Sequence, residues 1–186
     1  MQTAVDTARY VAELHRALNN LSHERIDDLV ALLVRAAHEG RKIFIIGNGG
    51  SAATASHFAC DLAKGTQSPL KPRCRVIALT DNVPLITAWG NDANYADIFA
   101  EQLRTLCDPE DILIAISASG RSANILRAAT VARETGATVV GMTGGGGLLG
   151  LMSDLWIETP ADCIEQIEDL HLIVEHLVCC QVRERL

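Results

Sequence analysis

The chain has 186 residues, 48% of them hydrophobic, which is enough for one sizeable buried core and fits one domain far better than two. A net charge of −7 sets the surface against nucleic acid and anionic membrane, and no local basic patch reverses it. No window approaches the roughly 18 apolar residues of a membrane span, and Met1 to Arg9 lack the layout of a secretory signal, so a soluble, cytoplasmic protein is expected.

From Thr3 to His38 apolar residues (Val5, Leu14, Leu18, then Ile26, Leu29, Leu32, Leu33 and Ala36) recur every three or four positions, with a break at Asn19, Asn20 and Ser22. That spacing predicts an antiparallel helical pair over residues 1–40, closed by Gly40. Lys42 to Ile46 is a short β-branched, apolar run of the kind buried in a parallel sheet.

Gly47-Asn48-Gly49-Gly50-Ser51-Ala52 leaves that strand and opens a helix predicted to reach about Lys64. Glycines there let the backbone approach an anion while the first N–H groups of the helix point at it. The same glycines also suit a tight turn that holds no ligand. The spacing Gly47, Gly49, Ala52 satisfies the loose dinucleotide fingerprint too, but the acidic residue that reading requires is supplied no nearer than Asp81, beyond Thr80. A nucleotide P-loop is excluded because no Lys-Ser/Thr pair follows the glycines. On the following helix His57 and Asp61 are four residues apart and share a face, able to hold one metal or one substrate.

Arg75 to Leu79, Asp111 to Ile116, Thr138 to Met142 and Leu155 to Ile157 are further strand-like runs, with helical stretches between most neighbours, which predicts a doubly wound parallel sheet. Trp89-Gly90-Asn91-Asp92 reads as a turn after a short helix begun near Pro84, its amide and carboxylate suited to sugar hydroxyls. Ser117-Ala118-Ser119-Gly120-Arg121-Ser122 leaves the third strand; three hydroxyls at a helix N-terminus make an anion cradle, although any one serine there is equally a helix cap. Gly144 to Gly147, four glycines in a row, read more readily as a flexible turn than as a phosphate loop.

The final stretch, from about Cys163 to Arg185, has helical periodicity and begins among Glu165, Glu168, Asp169, His171, Glu175 and His176. Most acidic residues on a helix form a solvated face. Glu168 and His176 are two turns apart, about 12 Å along the axis, and could bracket a site shared with a neighbouring chain. The six cysteines (Cys60, Cys74, Cys107, Cys163, Cys179, Cys180) form no Cys-x-x-Cys pair and read as reduced thiols.

Together, Gly47 to Ser51, His57-Phe58-Ala59, Gly90-Asn91-Asp92, Ser117 to Asn124 and the late His176 resemble, in order and over nearly the whole chain, the SIS-domain phosphoheptose isomerases. The resemblance implies a single SIS domain over residues 1–186: a three-layer, flavodoxin-like, five-stranded parallel sheet with the helical pair used in oligomer packing. It implies a homotetramer with sites at subunit interfaces, zinc as cofactor, and conversion of sedoheptulose 7-phosphate to a D-glycero-D-manno-heptose 7-phosphate. Ser51, Ser117, Ala118, Ser119 and Ser122 would then hold the phosphate, and Asn48, Gly49, Gly50, Asn91, Asp92 and Glu168 the sugar. His57, Asp61, Glu168 and His176 would form the metal or acid-base site.

Three positions depart from the family's usual residues: Asp61 replaces a glutamate, Glu168 a glutamine and Ala118 a threonine. The first two keep metal-capable oxygens. The implied chemistry is an aldose-ketose isomerisation through an enediol, with Asp61 or Glu168 as base and His176 as acid. The rival reading is a non-catalytic SIS relative that binds phosphosugar in a regulatory role, for instance on a bacterial replication initiator; such a protein has no need of the His-carboxylate cluster.

Overall fold

The computed structural model describes residues 6–186, so the predicted helix start at Thr3, with Val5, lies outside the described residues. Helix α1 (Thr7–Asn19) is capped by Asp6, whose carboxylate accepts from the Ala8 N–H. Helix α2 (His23–Glu39) starts at Ser22, whose hydroxyl accepts from the Arg25 N–H, and ends at Gly40 in the left-handed region.

The strands follow as β1 (Lys42–Ile46), β2 (Arg75–Ala78), β3 (Ile112–Ile116), β4 (Thr138–Thr143) and β5 (Leu155–Glu158), all parallel, in the order β2-β1-β3-β4-β5. Between them lie α3 (Gly50–Cys60), prolonged by a π turn at Asp61–Gly65, then α4 (Val83–Asp92), α5 (Ala100–Leu106), α6 (Ala123–Thr135) and α7 (Gly147–Met152). Helix α8 (Ile164–Arg185) ends the chain. The expected doubly wound sheet is therefore present, with strand limits within a residue of those read from the apolar runs.

The period-two alternation of each strand sorts its side chains into two cores. Ile43 and Ile45 of β1, with Ile112, Ile114 and Ile116 of β3, face α2, α3 and α8. Phe44 and Ile46, with Leu113 and Ala115, face α5, α6 and α7. Asp111, expected inside the third strand, instead clamps its amino end, accepting from the Lys42 N–H at 2.8 Å and the Asp108 N–H at 2.8 Å.

Chain order reverses between β1 and β3, so the two turns leaving their carboxyl ends lie side by side. This is where an open parallel sheet forms its ligand crevice. One expectation is corrected: Trp89-Gly90-Asn91-Asp92 is not a turn but the last residues of α4, because the Ala93 N–H still reaches the Trp89 carbonyl at 3.1 Å. Gly90 is tolerated there, facing Ile98 and Tyr95.

Candidate active site

The β1 turn is shaped by two glycines. A β-carbon on Gly47 would lie 2.3 Å from the Ser51 carbonyl oxygen, so only glycine lets the first turn of α3 fold back over the strand end. Gly49 sits at φ 55°, which side-chain-bearing residues rarely adopt. The Ala52 and Ala53 N–H groups donate to the Gly49 carbonyl, and the turn brings the still earlier N–H groups of α3 to the strand exit with Ser51 buried beside them.

At the β3 exit, the Gly120 N–H donates to the Ser117 carbonyl at 3.0 Å and the Arg121 N–H to Ser119 Oγ at 3.3 Å. Ser122 occupies the cap of α6, yet its hydroxyl makes no capping bond. The hydroxyl of Ser122 therefore does not satisfy the helix end as a capping serine would.

The two turns are tied together. Asn48 Nδ2 donates to Asn124 Oδ1 at 2.9 Å, and Asn124 Nδ2 returns a bond to Asn48 Oδ1 at 2.8 Å. Tyr95 adds its hydroxyl to Asn48 Oδ1 at 3.2 Å. Asn124 and Tyr95 were not assigned a role from sequence; a buried asparagine two residues beyond the serine run was the available signal for the first.

Behind the serine turn sits the glycine run. The Gly144 N–H donates to the Ala118 carbonyl and the Leu149 N–H to the Gly120 carbonyl, both at 3.0 Å. A β-carbon on Gly147 would lie 2.6 Å from the Ser119 carbonyl oxygen. Gly144 and Gly147 thus serve close packing against the serine turn.

Asn48, Ser51, Ser117, Ala118, Ser119, Ser122 and Glu168 line one cavity of about 160 Å³, closed by Ile116 and Ile164. Gly50 borders it, since a β-carbon there would meet Glu168 Oε1 at 2.6 Å. The Glu168 carboxylate therefore lies against the first turn of α3, whose positive end favours it. Asn91 and Asp92 do not line this cavity; they are exposed and bonded to each other, Asn91 Nδ2 donating to Asp92 Oδ1 at 2.7 Å. A larger cavity, of about 400 Å³, lies between α2 and the amino ends of β3 and β4, the opposite end of the sheet from the crevice.

Further along α8 is a second group. His57 Nε2 lies 3.7 Å from Asp61 Oδ2, and His176 Nε2 lies 4.0 Å from the same oxygen and 3.3 Å from Glu175 Oε2. The two imidazoles meet edge to face, with centroids 5.0 Å apart. Donor atoms of all four residues fall within 4.8 Å of one another. Glu168 is not among them, and Glu175, which sequence reading left on a solvated face, is. Burial, with the Asp61 charge beside it, pushes the Glu175 carboxyl up to about 7.

A cation fits this donor set. With bonds of about 2.0–2.1 Å, four ligands around a tetrahedral zinc ion are separated by roughly 3.3 Å, against 3.3, 3.7 and 4.0 Å for the pairs above, so the donors would draw together around the ion. Two histidines and two carboxylates are ordinary zinc donors, and the ion would relieve two acids held against each other.

The SIS domain family profile matches residues 8–144. The chain is 41% identical over 152 residues to a phosphoheptose isomerase of Bradyrhizobium sp., covering 81% of this chain and 76% of that one. Among solved structures it is similar to phosphoheptose isomerases from Neisseria gonorrhoeae (TM-score 0.88, 30% identity, 95% of this chain and 96% of that one) and Francisella tularensis (TM-score 0.87, 32% identity, 95% of each).

Proposed function

Because the chain belongs to the SIS-domain family and, within it, to the phosphoheptose isomerases, we propose that it converts sedoheptulose 7-phosphate to D-glycero-D-manno-heptose 7-phosphate through an enediol. The observation that carries this reading is the arrangement of two stations on α8. Glu168 stands at the serine cavity, and Glu175 and His176 stand seven and eight residues on, at the imidazole cluster. That is about 10.5–12 Å along the helix axis. An extended seven-carbon sugar, at about 1.25 Å of reach per carbon–carbon bond, spans a similar distance of roughly 10 Å from its phosphorus to its carbonyl end.

In this reading Ser51, Ser117, Ser119 and Ser122 donate hydroxyls to the phosphate, and the backbone at Ala118 and the first turn of α3 complete the cradle. Asn48, Gly49 and Gly50 bind the sugar hydroxyls; Asn91 and Asp92, exposed outside this cavity and bonded to each other, have no part in this reading. Of the two bases read from sequence, Asp61 stands at the carbonyl end and removes the proton from the carbon beside the carbonyl while His176 protonates the carbonyl oxygen; the proton held by Asp61 then goes to the former carbonyl carbon as the other enediol hydroxyl gives its proton back to His176, leaving the aldose. In the alternative use of the same cluster, His57, Asp61 and His176 would hold zinc, which, when bound, would polarise the carbonyl oxygen in place of the proton from His176.

Exposed Val83 and Leu85 on α4, a helix that buries none of its residues, support packing against further copies, in a homotetramer. Among the described residues no helix is long and apolar enough to cross a membrane. A purely regulatory phosphosugar-binding protein leaves the carboxylate-imidazole cluster without a use. The test is to incubate purified protein with a panel of five- to seven-carbon ketose phosphates and follow aldose formation. Turnover restricted to the seven-carbon ketose supports the proposal; phosphosugar binding without turnover of any substrate overturns it in favour of a binding role.

A further inference from the structure

We propose that Glu175, and not Glu168, supplies the second carboxylate to the metal at the His57 cluster. The inference rests on the isomerase site proposed above and changes its donor set. Glu175 is fully buried, and its Oε2 has no hydrogen-bond partner although it lies only 3.3 Å from His176 Nε2. A buried carboxylate oxygen with no partner is expensive unless something positive meets it.

The other oxygen, Oε1, accepts the Cys179 Sγ–H one helical turn away at 3.8 Å, which holds the carboxylate pointing at the cluster. Glu168 is engaged elsewhere, pressed against Gly50 at the start of α3 and lining the serine cavity. A metal at the imidazoles and a carboxylate at the phosphate cradle are separate tasks, and α8 presents one acid to each.

The experiment uses full-length, chelator-stripped protein titrated with Co²⁺, followed by its d–d absorption and by competition with Zn²⁺. Wild type should bind one Co²⁺ per chain with an intense, tetrahedral-type spectrum. Glu175→Gln and Glu175→Leu should weaken binding roughly 100-fold, the upper end of what losing a supporting group beyond the ligands costs, and change the spectrum. Glu168→Ala, which leaves no side-chain oxygen, should stay within about threefold of wild type, since residue 168 contributes no ligand.

Glu175→Leu also removes an unpaired buried acid, so it should melt at or above the temperature of metal-free wild type while losing the rise in melting temperature that metal gives. Should Glu168→Ala abolish binding while the Glu175 variants keep it, the assignment is wrong. Failure of wild type to bind either metal also overturns it. Turnover of sedoheptulose 7-phosphate, measured on the same stripped and reloaded samples, decides the isomerase reading separately from the metal titration.

Discussion

Glu168→Gln should tighten the binding of inorganic phosphate. The carboxylate lines the 160 Å³ serine cavity, so a phosphate seated among Ser51, Ser117, Ser119 and Ser122 lies beside a like charge. A cavity of that size puts the two charge centres about 5–6 Å apart, where a phosphate of about −1.5 and a carboxylate repel by roughly 1 kcal/mol in water and several-fold more if partly desolvated. About 1.5 kcal/mol is a reasonable middle value, equivalent to roughly a tenfold gain in affinity for the amide. Removing the charge also frees the positive end of α3 for the ligand, which acts in the same direction. Titration calorimetry with inorganic phosphate, at low ionic strength and again at about 0.15 M salt, reads the effect, and the gain should shrink as salt screens it. Unchanged or weakened binding would show that the anion does not sit beside Glu168, and the cavity assignment would fall.

His176→Ala should lower turnover of sedoheptulose 7-phosphate by at least roughly 100-fold while leaving the circular dichroism spectrum intact; retained activity removes it from the mechanism. Gly47→Ala forces a β-carbon into the Ser51 carbonyl, a backbone atom that cannot step aside, and should cost about 3 kcal/mol, or a melting point lower by roughly 8 °C. His171 is buried with neither ring nitrogen bonded, and burial pushes its pKa down to about 4 from 6.5. The unfolded chain therefore takes up this proton first, so the stability it contributes is whole above about pH 6.5 and falls away toward pH 4, by about 3 kcal/mol. Denaturant melts across that range should show the decline in wild type and a flatter profile in His171→Leu.

The strands were legible because β1 and β3 are buried on both faces and contain nothing but apolar residues after Lys42. The two turns at the crevice were legible for the same reason: a glycine or serine run at the end of such a strand stands out. Glu175 was not, since a glutamate on a charged helix looks solvated until α3 is seen to pack on α8 and bury it. Trp89 to Asp92 misled through turn-forming residues in a helix that nothing covers, where local propensity and the i to i+4 bond disagree. The π turn at Asp61 also has no local signal; it widens the helix at the residue whose carboxylate lies near both imidazoles.

The interlocking of Gly120 with Gly146 and Gly147 makes the cradle a product of the finished fold, since its walls come from three stretches of chain far apart in sequence and none can form its share alone. Phosphosugar should then act as a template for maturation, raising the melting temperature with the logarithm of its concentration. Substitutions in the glycine run, which does not line the serine cavity, would surface in a screen as failures of catalysis although the defect is one of assembly.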